Sequence, residues 1–217
     1  MSIKYVVFDW DGTLADTYPV ISAAYDYTFD TLGLPRIPYD EVKRITSTLQ
    51  NKDTLGYIFG ESKQEAADAY YSFIGKHHAA ALEAMPGARS VLEYCRKHNI
   101  TSILITNKKT LYVAEEIEKL GFSEFFDKVI AAGEYAEDKP HPLATHAAFG
   151  GKLPPADELL VLGDGEADFQ TAATYAHDNR KAFCVIYDPK RKYKGSEPDR
   201  KIDDLRQVIE IIGECNG

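Results

Sequence analysis

From residue 87 onward, short apolar runs of strand length alternate with helix-length segments. Strand-like runs occupy 100–106 (Ile-Thr-Ser-Ile-Leu-Ile-Thr), 127–132, 158–163 (Glu-Leu-Leu-Val-Leu-Gly) and 182–187 (Ala-Phe-Cys-Val-Ile-Tyr). Helical segments lie at 87–98, 110–120, 141–149, 166–176 and 203–213. One more run, 3–8, precedes them all and is rich in Val, Ile, Tyr and Phe. Near-continuous apolar runs mark strands buried on both faces, and a helix between strands supplies the crossover that parallel pairing needs. The chain is therefore predicted to be α/β, a doubly wound parallel sheet with a Rossmann-like core. Sheets of this kind bind ligands beyond the carboxyl ends of their strands.

Residues 17–85 break the alternation. Helical periodicity covers 17–33, 39–46, 51–59 and 62–83, and no strand signal interrupts them. Gly33 stops the first helix, and Pro35 and Pro38 mark a turn. Ser62 and Glu65 have the spacing of a capping box. Met85-Pro86-Gly87 ends the segment. The expected organisation is a discontinuous core, 1–16 with 86–217, and an inserted all-helical domain, 17–85. Residues 188–201, with Lys190, Arg191, Lys192, Lys194, Arg200 and Lys201, read as a solvated loop.

Composition narrows the function. A net charge of −9 argues against a nucleic-acid binder, which would carry a basic face. No apolar stretch approaches the roughly 20 residues of a membrane span, and the first strand begins too early for a leader. Cys95, Cys184 and Cys215 are too few and too scattered for a disulfide framework or a zinc site. His77 and His78 are adjacent and read as a solvated helix end. A cytoplasmic protein is expected, with no nucleic-acid or membrane partner.

The chemistry is concentrated at strand ends. Phe8-Asp9-Trp10-Asp11-Gly12-Thr13-Leu14 closes the first strand. Residues two apart on a strand share a face, so Asp9 and Asp11 can address one small, strongly negative volume. Such a volume favours a hard cation such as Mg²⁺, and a carboxylate held there can attack a phosphoryl group. Thr106-Asn107 ends the strand 100–106; a hydroxyl and an amide before a helix can hold phosphate oxygens. Lys139, in Asp138-Lys139-Pro140-His141-Pro142, can neutralise charge between an anionic nucleophile and an anionic substrate. Gly163-Asp164-Gly165-Glu166-Ala167-Asp168 ends the strand 158–163. Asp164 can complete a Mg²⁺ site with Asp9, Asp168 lies four residues on, and Glu166 is expected to be solvated.

In this order, Asp-x-Asp-Gly-Thr, Thr-Asn, Lys and Gly-Asp-x-x-x-Asp resemble the haloacid dehalogenase-like superfamily, from residue 3 to about 187. The helical insert resembles the small cap of that family. Lys-Pro-His-Pro and the Pro-Gly before residue 88 are most similar to its phosphoglycolate phosphatase-like branch. The resemblance implies a Mg²⁺-dependent phosphatase acting on a small anionic phosphorylated metabolite through an aspartyl-phosphate. It implies Asp9 as nucleophile, Asp11 as general acid/base, and Asp9, Asp164 and the carbonyl of Asp11 as metal ligands. Thr106 and Lys139 are implied as catalytic clamps, with Gly12, Thr106, Asn107 and Lys139 as the phosphate-binding set and Asp168 as a supporting carboxylate. Lys43, Arg44 and Lys52 are candidates for an anionic leaving group. A sugar-phosphate mutase using the same intermediate, or a non-catalytic binding protein on this fold, are the alternative readings.

Overall fold

A computed structural model of the chain describes residues 1–46, 53–175 and 181–217. Within them the chain forms two compact units, Met1–Asp16 with Glu83–Gly217, and Thr17–Leu82.

The first unit is built on β1 (Tyr5–Phe8), β4 (Thr101–Lys109), β5 (Lys128–Ala132), β6 (Leu159–Gly163), β7 (Phe183–Tyr187) and β8 (Arg200–Ile202). A two-stranded antiparallel ribbon, β2 (Ala15–Asp16) with β3 (Glu83–Ala84), lies where the chain leaves and re-enters the unit. The main sheet has the order β5-β4-β1-β6-β7-β8, and every pairing in it is parallel. β1 is central: the chain builds outward through β4 and β5 on one side, then through β6, β7 and β8 on the other. The strand order therefore reverses at β1, where open α/β sheets have their ligand crevice.

The connecting helices are α5 (Ala88–Lys97), α6 (Thr110–Lys119), α7 (Pro142–Ala148), α8 (Glu166–Thr174) and α9 (Gln207–Asn216). Val7, Ile103, Ile105, Ile130 and Val161 of one sheet face pack with Ala144 and Ala148 of α7 and Ala172 of α8. Small alanines on these two helices permit close approach to the β-branched surface. Tyr5, Phe149 and Tyr175 extend this core through edge-to-face contacts.

The second unit comprises α1 (Tyr18–Thr31), α2 (Tyr39–Thr46), α3 (Thr54–Phe59) and α4 (Lys63–His77). Its core gathers Tyr25, Phe29, Val42, Phe59 and Ala66. The Tyr25 ring stacks between Tyr39 and Phe59, with interplanar angles of 23° and 10°.

Several local expectations are corrected. Thr106-Asn107 does not end its strand; β4 continues to Lys109, with its register against β5 shifting between Ile105 and Lys109. Glu83–Ala84 pairs as a strand instead of closing a long helix, so α4 stops at His77. The Ser62 side chain does not cap α4: the residue ends a 3-10 turn with near-helical backbone angles, where a capping side chain needs an extended residue. His78 is buried, at 4% exposure. Within 188–201, Arg200–Ile202 pairs with β7, and the segment before it is tied down by Glu166. That carboxylate accepts from the Ser196 amide and hydroxyl, both at 2.8 Å, and from the Tyr193 hydroxyl at 2.9 Å. Partial burial pushes the Glu166 carboxyl upward, but these hydrogen bonds outweigh it and hold the group below its ordinary pKa.

Candidate active site

Backbone turns at the strand ends set the site. The Trp10 carbonyl accepts from the amides of Thr13, Leu14 and Ala15, which folds the chain back sharply after β1. Gly12 sits in this turn at φ +81°, and a Cβ there would lie 2.7 Å from Asp164 Oδ2. Glycine is thus required twice over, by the backbone angle and by the approach of the acid. Gly163 is required at the end of β6 by close approach alone, since a Cβ there would fall 2.0 Å from Cγ of Asp168.

Asp9, Asp164 and Asp168 each present a carboxylate oxygen within 4.8 Å of the others. Lys139 joins this group. Its ammonium donates to Asp9 Oδ1, to Asp168 Oδ1 at 2.8 Å and to the Ile105 carbonyl at 3.1 Å. The turn carrying it is held by Asp138, whose Oδ1 accepts from the Gly133 amide at 2.9 Å, and by Asn107, whose Nδ2 donates to the Lys139 carbonyl at 3.0 Å. Asp9, Lys139 and Asp168 are all buried. Burial is the largest influence on the Asp9 carboxyl and pushes it up to about 6; Asp168 and Asp11 add to this, while Lys139 pulls it down. Burial disfavours charge on Lys139, but Asp168 and Asp9 outweigh it and hold its pKa above the ordinary lysine value.

The second oxygens of Asp9 and Asp168 are also placed. Asp9 Oδ2 accepts from Thr13 Oγ1 at 3.0 Å. Asp168 Oδ2 accepts from the amides of Asp164 and Gly165, both at 3.1 Å, at the start of α8. Asp168 thus holds Lys139 with one oxygen and the Asp164 loop with the other. Its helix N-terminal position favours the negative charge.

Asp11 stands apart from the three-acid cluster. Its Oδ1 accepts from Lys108 Nζ at 2.6 Å. Thr106 is buried at 2% exposure, and its Oγ1 accepts from the Lys108 amide at 3.1 Å, which shapes the end of β4. Lys108 and its second partner, Glu116 at 3.0 Å, were not anticipated from the sequence. Burial opposes charge on Lys108, yet Asp11 and Glu116 hold its pKa above the ordinary value. Glu116 was legible in principle: it shares the inward face of α6 with Val113 and Ile117, where an unpaired acid is not tolerated. Arg44, considered for a leaving group, pairs with Glu41 on its own exposed helix turn, and Lys52 lies outside the described residues.

An oxygen-only set of closely spaced carboxylates suits Mg²⁺. Asp9, Asp164 and Asp168 together form a group that could hold it.

Residues 6–177 match the haloacid dehalogenase-like hydrolase family. The chain is 27% identical to the phosphoglycolate phosphatase of Vibrio parahaemolyticus over 223 aligned positions, covering 97% of this chain and 96% of that protein. It is 26% identical to the pyrophosphatase PpaX of Oceanobacillus iheyensis, covering 99% of each. The crystal structure of a predicted phosphoglycolate phosphatase from Haemophilus somnus superposes with a TM-score of 0.80 at 19% identity, covering 97% of this chain and 98% of that one. A family match spanning most of the chain, on a parallel sheet whose strand ends carry Asp9, Lys139 and Asp164, places the protein: it belongs to the haloacid dehalogenase-like hydrolases.

Proposed function

We propose that the protein hydrolyses a small phosphomonoester, with phosphoglycolate the first candidate, in a Mg²⁺-dependent reaction through an aspartyl-phosphate on Asp9. The observation carrying this reading is a buried lysine ammonium bonded to two buried carboxylates beside a third, at the switch point of a parallel sheet. The named relatives support the substrate class: one acts on phosphoglycolate and another on pyrophosphate by name.

Phosphoryl transfer needs positioning and neutralisation of charge more than covalent assistance. An Asp9 oxygen attacks phosphorus in line, and the bond from phosphorus to the leaving oxygen breaks. Asp11 gives that oxygen a proton. Asp11 then takes a proton from water as the water attacks the phosphorus of the acyl phosphate, releasing inorganic phosphate and restoring Asp9. Lys139 lowers the repulsion between the Asp9 carboxylate and the incoming phosphoryl oxygens, with Thr106, Asn107 and Gly12 as further phosphate-holding positions. Asp168 keeps Lys139 and the Asp164 loop in place. Mg²⁺, held by Asp9, Asp164 and the Asp11 carbonyl, supplies charge stabilisation of the phosphoryl oxygens when bound. Residues 17–85 are read as the cap of such an enzyme.

The test is phosphate release from a panel of phosphorylated metabolites with and without Mg²⁺. Release that needs Mg²⁺ and vanishes in Asp9→Asn supports the reading. Isomerisation of a sugar phosphate without net release replaces it with a mutase, and neither reaction in a folded, Mg²⁺-supplied protein replaces it with a binding protein.

A further inference from the structure

Glu116 is fully buried, with its side chain at 0% exposure. A buried carboxylate is costly unless it is paired and hydrogen-bonded, and apolar packing would serve stability at least as well. Its partners therefore indicate what it is for. One oxygen, Oε2, accepts from Trp10 Nε1 at 2.6 Å and from Lys108 Nζ at 3.0 Å. The same ammonium donates to Asp11 Oδ1 at 2.6 Å. Trp10 and Asp11 are consecutive, so the contacts close a ring: Asp11 carboxylate, Lys108 ammonium, Glu116 carboxylate, Trp10 indole, and back through one peptide bond to Asp11.

The four members of the ring come from three places in the chain. Trp10 and Asp11 follow β1, Lys108 lies near the end of β4, and Glu116 is on α6. The indole is fully buried and packed edge-on against Phe122 and Phe126, so the Trp10 corner is rigid. A lysine head on a four-carbon stem is otherwise poorly fixed. Held between two acids, it becomes a fixed donor aimed at Asp11.

We propose that Glu116 is a positioning residue for the hydrolysis: anchored by Trp10, it fixes the Lys108 ammonium, and through it the orientation of the Asp11 carboxyl toward the leaving oxygen. The proposal rests on the phosphatase reading, in which Asp11 is the proton donor. Glu116 does not touch substrate. Glutamine at 116 keeps the shape and an oxygen for Trp10 but removes the charge that competes with Asp11 for Lys108. Lys108 and Asp11 then settle on one another, away from the productive geometry. The defect belongs to proton delivery, and esters with acidic leaving groups need little of it.

The experiment compares Glu116→Gln with the wild type on two esters, with Mg²⁺ present. One is the alkyl monoester turned over fastest in the panel; the other is an aryl phosphate whose phenol is acidic. The expected result is a fall in kcat of about 10- to 100-fold on the alkyl ester, a part of the roughly 10²–10⁴-fold that general acid catalysis contributes. KM should stay within about twofold, and the aryl ester should lose less than about threefold. Trp10→Phe, which removes the indole N–H and keeps an aromatic core residue, should show the same bias at smaller size. It decides the matter if Glu116→Gln does not fold. Equal losses on both esters, or none, overturn the proposal and leave the phosphatase reading intact. Failure of the wild type to hydrolyse either ester overturns the reading and the proposal together.

Discussion

Replacing Lys139 by methionine keeps most of the side-chain volume and removes a cation bonded to both Asp9 and Asp168. Three hydrogen bonds are lost, to Asp9, Asp168 and the Ile105 carbonyl. More important, two carboxylates at 7% and 4% exposure are left without their counter-charge. Removing one partner of a buried ion pair destabilises by about 3–5 kcal/mol, chiefly because the other charge stays desolvated. The two backbone amides on Asp168 Oδ2 persist and keep the effect inside that range. For a protein of this size about 1 kcal/mol corresponds to a Tm change of about 2–4 °C, so a drop of about 6–20 °C is expected. Thermal and urea unfolding in chelator, both followed by the fluorescence of Trp10, are the assays. Trp10 is the single tryptophan and is buried in the same unit. Adding Asp9→Asn to Lys139→Met should recover part of the loss, because a neutral amide no longer needs the cation. A loss under about 1 kcal/mol in chelator, or no recovery in the double variant, would refute the argument that Lys139 is the counter-charge of this cluster.

Other outcomes follow from the same geometry. Gly12→Ala places a methyl 2.7 Å from Asp164 Oδ2 on a backbone at φ +81°, and should weaken Mg²⁺ affinity at least tenfold by titration calorimetry while the far-ultraviolet circular dichroism stays unchanged. Glu166→Ala removes the acceptor for Ser196 and Tyr193, and limited proteolysis should then cut within 188–199 faster than in the wild type. Ca²⁺ in place of Mg²⁺ should support little turnover, since it accepts more ligands at longer distances and lets Asp9 coordinate out of line for attack; comparable rates with both ions would count against in-line attack by Asp9.

The sheet was legible because its strands are apolar on both faces, and 158–163 and 182–187 read as strands within a residue of their observed bounds. Asp9 and Lys139 were legible as candidates from an acid pair ending a strand and a lysine between stiff turns, and the structure brings the two together. The chain could not announce that Asp11 and Asp9 would have different lysines. Nothing local marks Lys108, next to Lys109 at the end of a strand, as buried, and its burial depends on Glu116 arriving from α6. Nor does the sequence around Trp10 say that its indole reaches the same acid, about 100 residues on. The fate of Glu166 was hidden for a related reason: its partners lie about 30 residues on, in a stretch whose lysines suggested solvent. Local periodicity reports which face a residue occupies and says nothing of which polar group will meet it there.

The stereochemical course at phosphorus tests the central claim most directly. A phosphorothioate analogue of the substrate ester, made chiral at phosphorus with two oxygen isotopes, is hydrolysed with Mg²⁺ in water carrying the third isotope, and the configuration of the released thiophosphate is determined. Attack by Asp9 followed by attack of water on the acyl phosphate comprises two in-line displacements, so the account predicts retention. Inversion would mean that water displaces the leaving group in one step, and would contradict Asp9 as the nucleophile.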